Sequence, residues 1–297
     1  MKGIDGKTRL CGIFGYPVEH SFSPAMHNAA FRRLHMNWAY VPFPVRPADL
    51  PAAVGAVRSL NLAGVNVTVP HKQAVVDFLD DLSPAARLSG AVNTIVNSGG
   101  VLKGHNTDGE GFVMSLREEA GDACTKGSAL IIGAGGSARA VAVALALNGA
   151  REIIIANRTE DRAMDLCGLL KNKTRCDSSF LCWSGLPVPG AREYRDWESV
   201  MERVSLVVQT TSLGMHPAKD NEPPLPYELI RPGQVAVDLV YNPPVTGFME
   251  KCGDAGARTY NGIGMLLHQG AIAFELWTGR PAPVDVMREA LKMGIGN

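Results

Sequence analysis

At 297 residues, of which 46% are hydrophobic and 20% charged, the chain is long enough for two ordinary domains or one large one. Its 29 Lys plus Arg are matched by 29 Asp plus Glu, a balance that argues against nucleic acid as a partner because phosphate binding wants a basic excess. No run reaches the roughly 18 apolar residues of a membrane span, and the opening stretch MKGIDGKTRLCGIFGYP meets glycine, proline and charge before a signal core can form, so no membrane partner is expected and the location reads as cytoplasmic. The six cysteines, Cys11, Cys124, Cys167, Cys176, Cys182 and Cys252, have neither CxxC nor metal-ligand spacing. Reduced structural thiols and no metal are expected.

Along the chain, β-like runs at 9–15, 37–45, 63–69, 91–98 and 101–108 alternate with helical patterns at 23–35 and 49–60, which predicts an α/β sheet covered by helices. A second series begins at 128–150, where an apolar strand runs into an apolar helix, and continues through strands at 151–158, 205–211 and 234–241. It predicts a second sheet with its own ligand site. Residues 171–197 are the least periodic and read as a variable surface region with a short strand inside. A helix over 264–279 stops at Gly279, and a second amphipathic helix follows at 284–293.

Polar residues gather where the strands of the first series end. In GVNVTVPHKQAV, alternation puts Asn66 and Thr68 on one strand face, with Val65, Val67 and Val69 on the other. Pro70 suits the first turn of a helix, so Lys72 is expected near a helix N-terminus, where the dipole disfavours a cation and eases release of its proton. A solvated surface lysine fits the same spacing. Ser21 and Ser23 are two apart and can offer two hydroxyls to one carboxylate, while Ser23 also suits an N-cap ahead of Pro24. Asn93 is an amide in an apolar strand, and Asp108 is an acid flanked by Thr107 and Gly109. Each also fits a turn or cap, although strand ends are where α/β sheets hold ligands.

In ALIIGAGGSARAVAVAL, Gly133, Gly135 and Gly136 follow a strand and open a helix, the context of a dinucleotide loop, with Ala138 small where helix packs on strand. A merely structural strand-to-helix turn shares this pattern. After the next strand, where an NAD site usually carries an acid, stand Asn157 and Arg158, and Arg162 follows in the first helical turn. Two guanidiniums there suit a 2′-phosphate and point to NADP, with a solvated helix start as the alternative.

Taken together, HSFSPAMHN, GVNVTVPHK, GAVNT, GHNTDGEGF, GAGGSARAV, ANRTEDR, TTSLGM, DLVYNP and NGIGMLLHQGAIAFELWTG resemble the shikimate dehydrogenase family in content and order, from about residue 12 to the C-terminus. The resemblance implies NADPH-dependent reduction of 3-dehydroshikimate to shikimate, on the route to chorismate and aromatic amino acids. It implies two α/β domains with the active site in the cleft between them: residues 1–106 plus 264–297 for substrate and a Rossmann-like domain at 107–263 for NADP. Ser21, Ser23 and Thr68 would meet the substrate carboxylate with Asn66 close by, and Asn93, Asp108, Gln269 and Lys72 its ring oxygens, with Tyr241 near both ligands. Lys72 and Asp108 would be the proton-transfer pair. Gly133, Ala134, Gly135, Gly136 and Ser137 would hold the pyrophosphate, Asn157, Arg158, Thr159 and Arg162 the adenosine ribose and its phosphate, and Leu213, Met215, Leu239 and Gly262 the nicotinamide end. Gln209 and Asn261 depart from the family's frequent Asn and Asp, which bears on loop hydrogen bonding. A quinate-oxidising, NAD-using relative, a non-catalytic NADP sensor and a homodimer remain open.

Overall fold

The apolar runs become the strands of two sheets, and the computed structural model, which describes residues 3–182 and 185–295, divides into two compact units. One takes the residues up to Gly111 and those from Leu266 onward; the other is Phe112–Met265.

The first unit carries β1 (Arg9–Gly15), α1 (Ser23–Arg33), β2 (Trp38–Pro44), α2 (Leu50–Ser59), β3 (Gly64–Val67), β4 (Asp81–Leu82), α3 (Pro84–Ser89), β5 (Thr94–Ser98), β6 (Val101–His105) and the first turn of α4 (Asp108–Ala120). The strands lie in the order β2-β1-β3-β5-β6-β4, with β2, β1 and β3 parallel and β5 antiparallel to both β3 and β6. Alternate residues of β1 feed two cores: Cys11 and Ile13 pack with Met26, Phe31, Tyr40 and Phe274, whereas Phe14 joins Val54, Val65, Val67 and Ile95. Local chemistry sets the ends. Ser83 caps α3 by accepting the Ala86 N–H at 3.3 Å, Pro84 starts it, and Gly90 stops it in the left-handed conformation at φ 64°.

Two expectations fail here for identifiable reasons. Pro70 starts no helix: residues 70–73 are non-helical and the next helical segment is a 3-10 turn over Ala74–Phe78. The His71 ring donates to the Val45 carbonyl at 2.7 Å, and the Lys72 carbonyl accepts the Val92 N–H at 2.7 Å, so the backbone is tied to neighbouring segments instead of a helical ladder. Strand β3 stops at Val67, which leaves Val69 68% exposed, outside the valine face.

The second unit holds β7 (Ser128–Ile132), α5 (Gly136–Leu147), β8 (Glu152–Asn157), α6 (Glu160–Lys173), β9 (Asp177–Cys182), α7 (Arg192–Arg203), β10 (Leu206–Gln209), β11 (Val235–Asp238), α8 (Gly247–Asp254) and β12 (Arg258–Tyr260). All its strands are parallel, in the order β12-β11-β10-β7-β8-β9, the doubly wound Rossmann arrangement. The aperiodic stretch at 171–197 contains β9 and the start of α7; Trp183 and Ser184 within it lie outside the described residues. Helix α7 is amphipathic, burying Tyr194, Trp197, Val200 and Met201 on one face. Then α9 (Ile263–Thr278) and α10 (Val284–Ile295) follow, and from Leu266 onward they belong to the first unit.

Cys11, Cys124, Cys167, Cys176 and Cys252 are free thiols, and burial pushes Cys252 up to about 12, as suits inert core residues; the Cys182 side chain lies outside the described residues. Among the described residues no three His, Cys, Asp or Glu side chains cluster as metal ligands, and no helix is long and apolar enough to cross a membrane.

Asp238, fully buried at the end of β11, accepts the Val240 N–H at 2.9 Å and the Thr246 hydroxyl at 2.6 Å. Burial raises its carboxyl to about 6, against the pull of those two bonds. A raised folded-state value means the native state binds the proton more tightly, so stability falls as pH rises from about 4 to about 6, by about 2–3 kcal/mol from this group. Asp238→Asn keeps the shape and removes the titration. Urea unfolding at pH 4.5 and 7.5 is expected to show the variant gaining stability relative to the unsubstituted protein at the higher pH; equal pH dependence of the two would remove Asp238 as the cause.

Candidate active site

In the first unit, the residues after β3, before β5 and after β6 converge. Lys72 Nζ donates to Asp108 Oδ2 at 2.6 Å, with side chains 18% and 7% exposed. Asp108 is not a strand residue: β6 ends at His105, and Asp108 opens α4. Asn106 accepts the Asp108 N–H at 3.1 Å, anchored in turn by donating to Ser89 Oγ and the Ala91 carbonyl. So it is the acid, not the lysine, that sits at a helix N-terminus, where the dipole favours negative charge.

Asn93, buried just ahead of β5, ties the site together. Its Nδ2 donates to Asp108 Oδ1 at 2.8 Å and to Thr107 Oγ1 at 2.9 Å, with Gln269 Oε1 3.4 Å away, while its Oδ1 accepts the Thr107 N–H at 2.8 Å. Thr107 Oγ1 reaches the Gln269 carbonyl at 3.1 Å. Helix α9 thus delivers Gln269 beside α4, and glycine at 111 allows the approach: a Cβ there would lie 2.6 Å from the Gln269 nitrogen.

On the other side of Asn93, Asn66 donates to the Asn93 carbonyl at 3.2 Å and to Thr94 Oγ1 at 3.0 Å, and accepts from the Tyr40 hydroxyl at 2.8 Å. Ser23 is buried as the first residue of α1; the cap position is Phe22, and no side chain caps the helix, so the N-cap reading of Ser23 fails. Its N–H donates to Ser21 Oγ at 3.3 Å. Thr68 is held through its backbone, donating to the Phe14 carbonyl at 2.9 Å and accepting the His71 N–H at 2.9 Å. The structure therefore joins Lys72, Asp108, Asn93, Gln269 and Asn66 by direct bonds, with Ser21, Ser23 and Thr68 at the neighbouring ends of the same sheet. Tyr241 belongs to the second unit, just after β11, where burial raises its phenol.

Thr107, Thr94 and Tyr40 were missed as members of this cluster. Thr107 was legible as the neighbour of Asp108, and Tyr40 as an inward-facing hydroxyl in an apolar strand, which must find a partner when buried.

In the second unit, Gly133 leaves β7 at φ 108° and donates to the Ala156 carbonyl at 2.8 Å. A Cβ there would lie 2.7 Å from Thr210 Oγ1, so only glycine fits where the loops after β7 and β10 meet, at the topological switch point. Ala134 is buried, Gly135 is exposed with open space where a Cβ would stand, and Gly136 and Ser137 open the 12-residue α5 with no side chain capping its N-terminus. Those uncapped N–H groups are what a pyrophosphate requires. Beyond β8, Asn157 Nδ2 donates to the Thr159 carbonyl at 2.8 Å, and Arg158, Thr159 and Arg162 are exposed around the start of α6. Together these features fit an NADP phosphate set. Gln209 is fully buried and organises the loop after β10 by donating to the Leu213 carbonyl at 3.0 Å; Leu213 is half-buried and Met215 46% exposed. Leu239 follows β11, and the Gly262 N–H donates to the Val240 carbonyl at 3.2 Å. Asn261 Oδ1 accepts the Ile263 N–H at 3.1 Å, so it serves at the start of α9.

Comparison with known proteins identifies related chains. Family models described as "Shikimate dehydrogenase substrate binding domain", "Shikimate / quinate 5-dehydrogenase" and "Shikimate 5'-dehydrogenase C-terminal domain" match residues 13–95, 115–179 and 262–292. The chain is 54% identical to a shikimate dehydrogenase (NADP(+)) of Desulforamulus reducens, over 97% of this chain and 96% of that protein. Among solved structures, a shikimate dehydrogenase in complex with NADP+ aligns with a TM-score of 0.88 at 39% identity, covering 99% of this chain and 98% of the other. A shikimate 5-dehydrogenase of Listeria monocytogenes in complex with shikimate and NAD gives 0.88 at 38% identity, over 97% and 98% of the two chains.

Proposed function

The chain belongs to the shikimate dehydrogenase family, and from that premise we propose that it catalyses the reversible, NADPH-dependent reduction of 3-dehydroshikimate to shikimate in chorismate and aromatic amino acid biosynthesis. The observation that carries the reading is the part-buried Lys72–Asp108 pair, 2.6 Å apart, with Asp108 also accepting from Asn93. The first unit serves as the substrate domain and the second as the NADP domain; a cytoplasmic enzyme and a homodimer go with the reading.

NADPH, when bound, supplies the reducing equivalent for the ketone carbon. Lys72 donates the proton to the alkoxide oxygen that forms there, and Asp108, bonded to Nζ, orients it. Asn93 and Gln269 bind the ring hydroxyls, while the Ser21, Ser23 and Thr68 hydroxyls take the carboxylate with Asn66 beside them; Tyr241 is assigned to the substrate as well. The N-terminus of α5, with Gly133–Ser137, holds the pyrophosphate. Asn157, Arg158, Thr159 and Arg162 hold the adenosine ribose and its 2′-phosphate, and Leu213, Met215, Leu239 and Gly262 line the nicotinamide end.

Initial rates of shikimate and quinate oxidation, each with NADP and with NAD, test the reading directly. High activity confined to shikimate with NADP is expected. Comparable rates with quinate or NAD would move the chain to the broader quinate/shikimate type, and no rate in any arm would leave a non-catalytic binding protein. Lys72→Ala is expected to lower kcat by about 10²–10⁴ with a much smaller change in KM, measured by steady-state kinetics; a near-normal kcat would remove Lys72 from the chemistry. Arg158→Ala is expected to weaken NADP by about tenfold to a hundredfold, the loss of a charge-assisted contact of about 1.5–3 kcal/mol, and to leave NAD nearly unchanged. Equal weakening of both in a binding titration would show that the arginine reads another part of the nucleotide.

A further inference from the structure

Tyr40 lies in the middle of β2, 1% exposed, and belongs to neither ligand set above. Its ring stacks on His27, centroids 4.5 Å apart and 9° from parallel, with Trp277 at 6.0 Å, so packing aims the phenol. The Tyr40 oxygen is 2.8 Å from Asn66 Oδ1.

The direction of each bond follows from what its partner can accept. Asn66 Nδ2 faces the Asn93 carbonyl, which can only accept, so the carboxamide cannot be turned over and Oδ1 must face the phenol. Tyr40 therefore donates to Asn66. Asn66 Nδ2 then donates to Thr94 Oγ1, and Thr94, having accepted, donates to Asn93 Oδ1 at 3.1 Å. Asn93 is fixed independently, because its Oδ1 accepts the Thr107 N–H and its Nδ2 meets the Asp108 carboxylate at 2.8 Å. The bonds from Tyr40 to Asp108 thus run in one sense, ending on the carboxylate that holds Lys72.

We propose that Tyr40 is a positioning residue for the reaction: as head donor of this chain it fixes the Asn66 carboxamide and, through Thr94, Asn93, so that substrate meets oriented partners. The inference rests on the functional reading above. A buried network of this kind is rigid when every member is satisfied, and removing one donor strands an acceptor inside it.

Tyr40→Phe removes one oxygen and keeps the ring stack. Steady-state kinetics are expected to show kcat/KM for shikimate reduced about tenfold or more, chiefly through KM, with the KM for NADP within about twofold. Because Tyr40 acts through Asn66, adding Tyr40→Phe to Asn66→Ala is expected to change kcat/KM by less than about twofold. A merely structural tyrosine would lower the melting temperature and leave shikimate KM alone, and that result overturns the proposal; so does a double variant in which the two losses multiply. Should Asn66→Ala fail to fold, the split between KM and kcat in Tyr40→Phe decides alone. The unsubstituted protein runs in the same series. If it turns over shikimate, a Tyr40→Phe protein with ordinary KM sinks only the positioning role, whereas an inactive unsubstituted protein sinks the functional reading as well.

Discussion

Everything in the first unit is arranged around one constraint, a lysine and an aspartate held 2.6 Å apart with little access to water. Such a pair is a poor stabilising device. Desolvating two charges offsets most of their attraction, and apolar replacements of similar volume are often neutral or better, whereas stranding one partner costs about 3–5 kcal/mol. The pair is tolerable only because the second Asp108 oxygen accepts from Asn93 and the backbone around the acid is satisfied by Asn106 and by the first turn of α4. A fold that accepts this burden in place of an apolar plug gains little stability by it, which agrees with the proton transfer at Nζ proposed above.

The second unit solves a different problem with backbone rather than side chains. Its parallel sheet brings the loops after β7 and β10 together at the switch point, and the glycines there leave α5 uncapped and open to an anion. Only the far end of the nucleotide calls for side-chain charge, and there the loop after β8 presents Arg158, with Arg162 following in α6. In the proposed reading, affinity for the shared part of the cofactor and discrimination of its phosphate are carried by separate pieces of the chain. Changing one leaves the other in place.

Much of this was legible before any coordinates. Period-two runs give the strands, Gly133 to Gly136 mark the turn from strand into α5, and polar residues at strand ends of the first unit come together in one hydrogen-bonded cluster, because the signals that place them are local. What was not legible depended on tertiary partners. Pro70 reads as a helix start, yet the His71 ring and the Lys72 carbonyl are captured by Val45 and Val92, residues far off in sequence, and no helix forms. Asp108 reads as the end of a strand, whereas Asn106 turns the chain and makes it the start of α4. Helix α7 was hidden because its apolar positions, Tyr194, Trp197, Val200 and Met201, are sparse among charges and visible only as a narrow stripe.

That reversal, acid rather than lysine at a helix N-terminus, bears on how the site is built. A cation gains nothing from the N-terminal end of a helix dipole, while a carboxylate at the start of α4 is favoured by it. Asp108 is therefore anchored by α4, while Lys72 stands between β3 and a 3-10 segment, held there by the Val92 N–H on its carbonyl. The anchoring in turn requires α9, which returns from the far end of the chain to bring the Gln269 carbonyl to the Thr107 hydroxyl and to pack against Gly111. Residues 160 or so apart in sequence thus share one hydrogen bond. This is a physical reason for the first unit to be discontinuous: the loop that carries the acid is held from one side by its own sheet and from the other by a helix that the chain reaches only after completing the second unit.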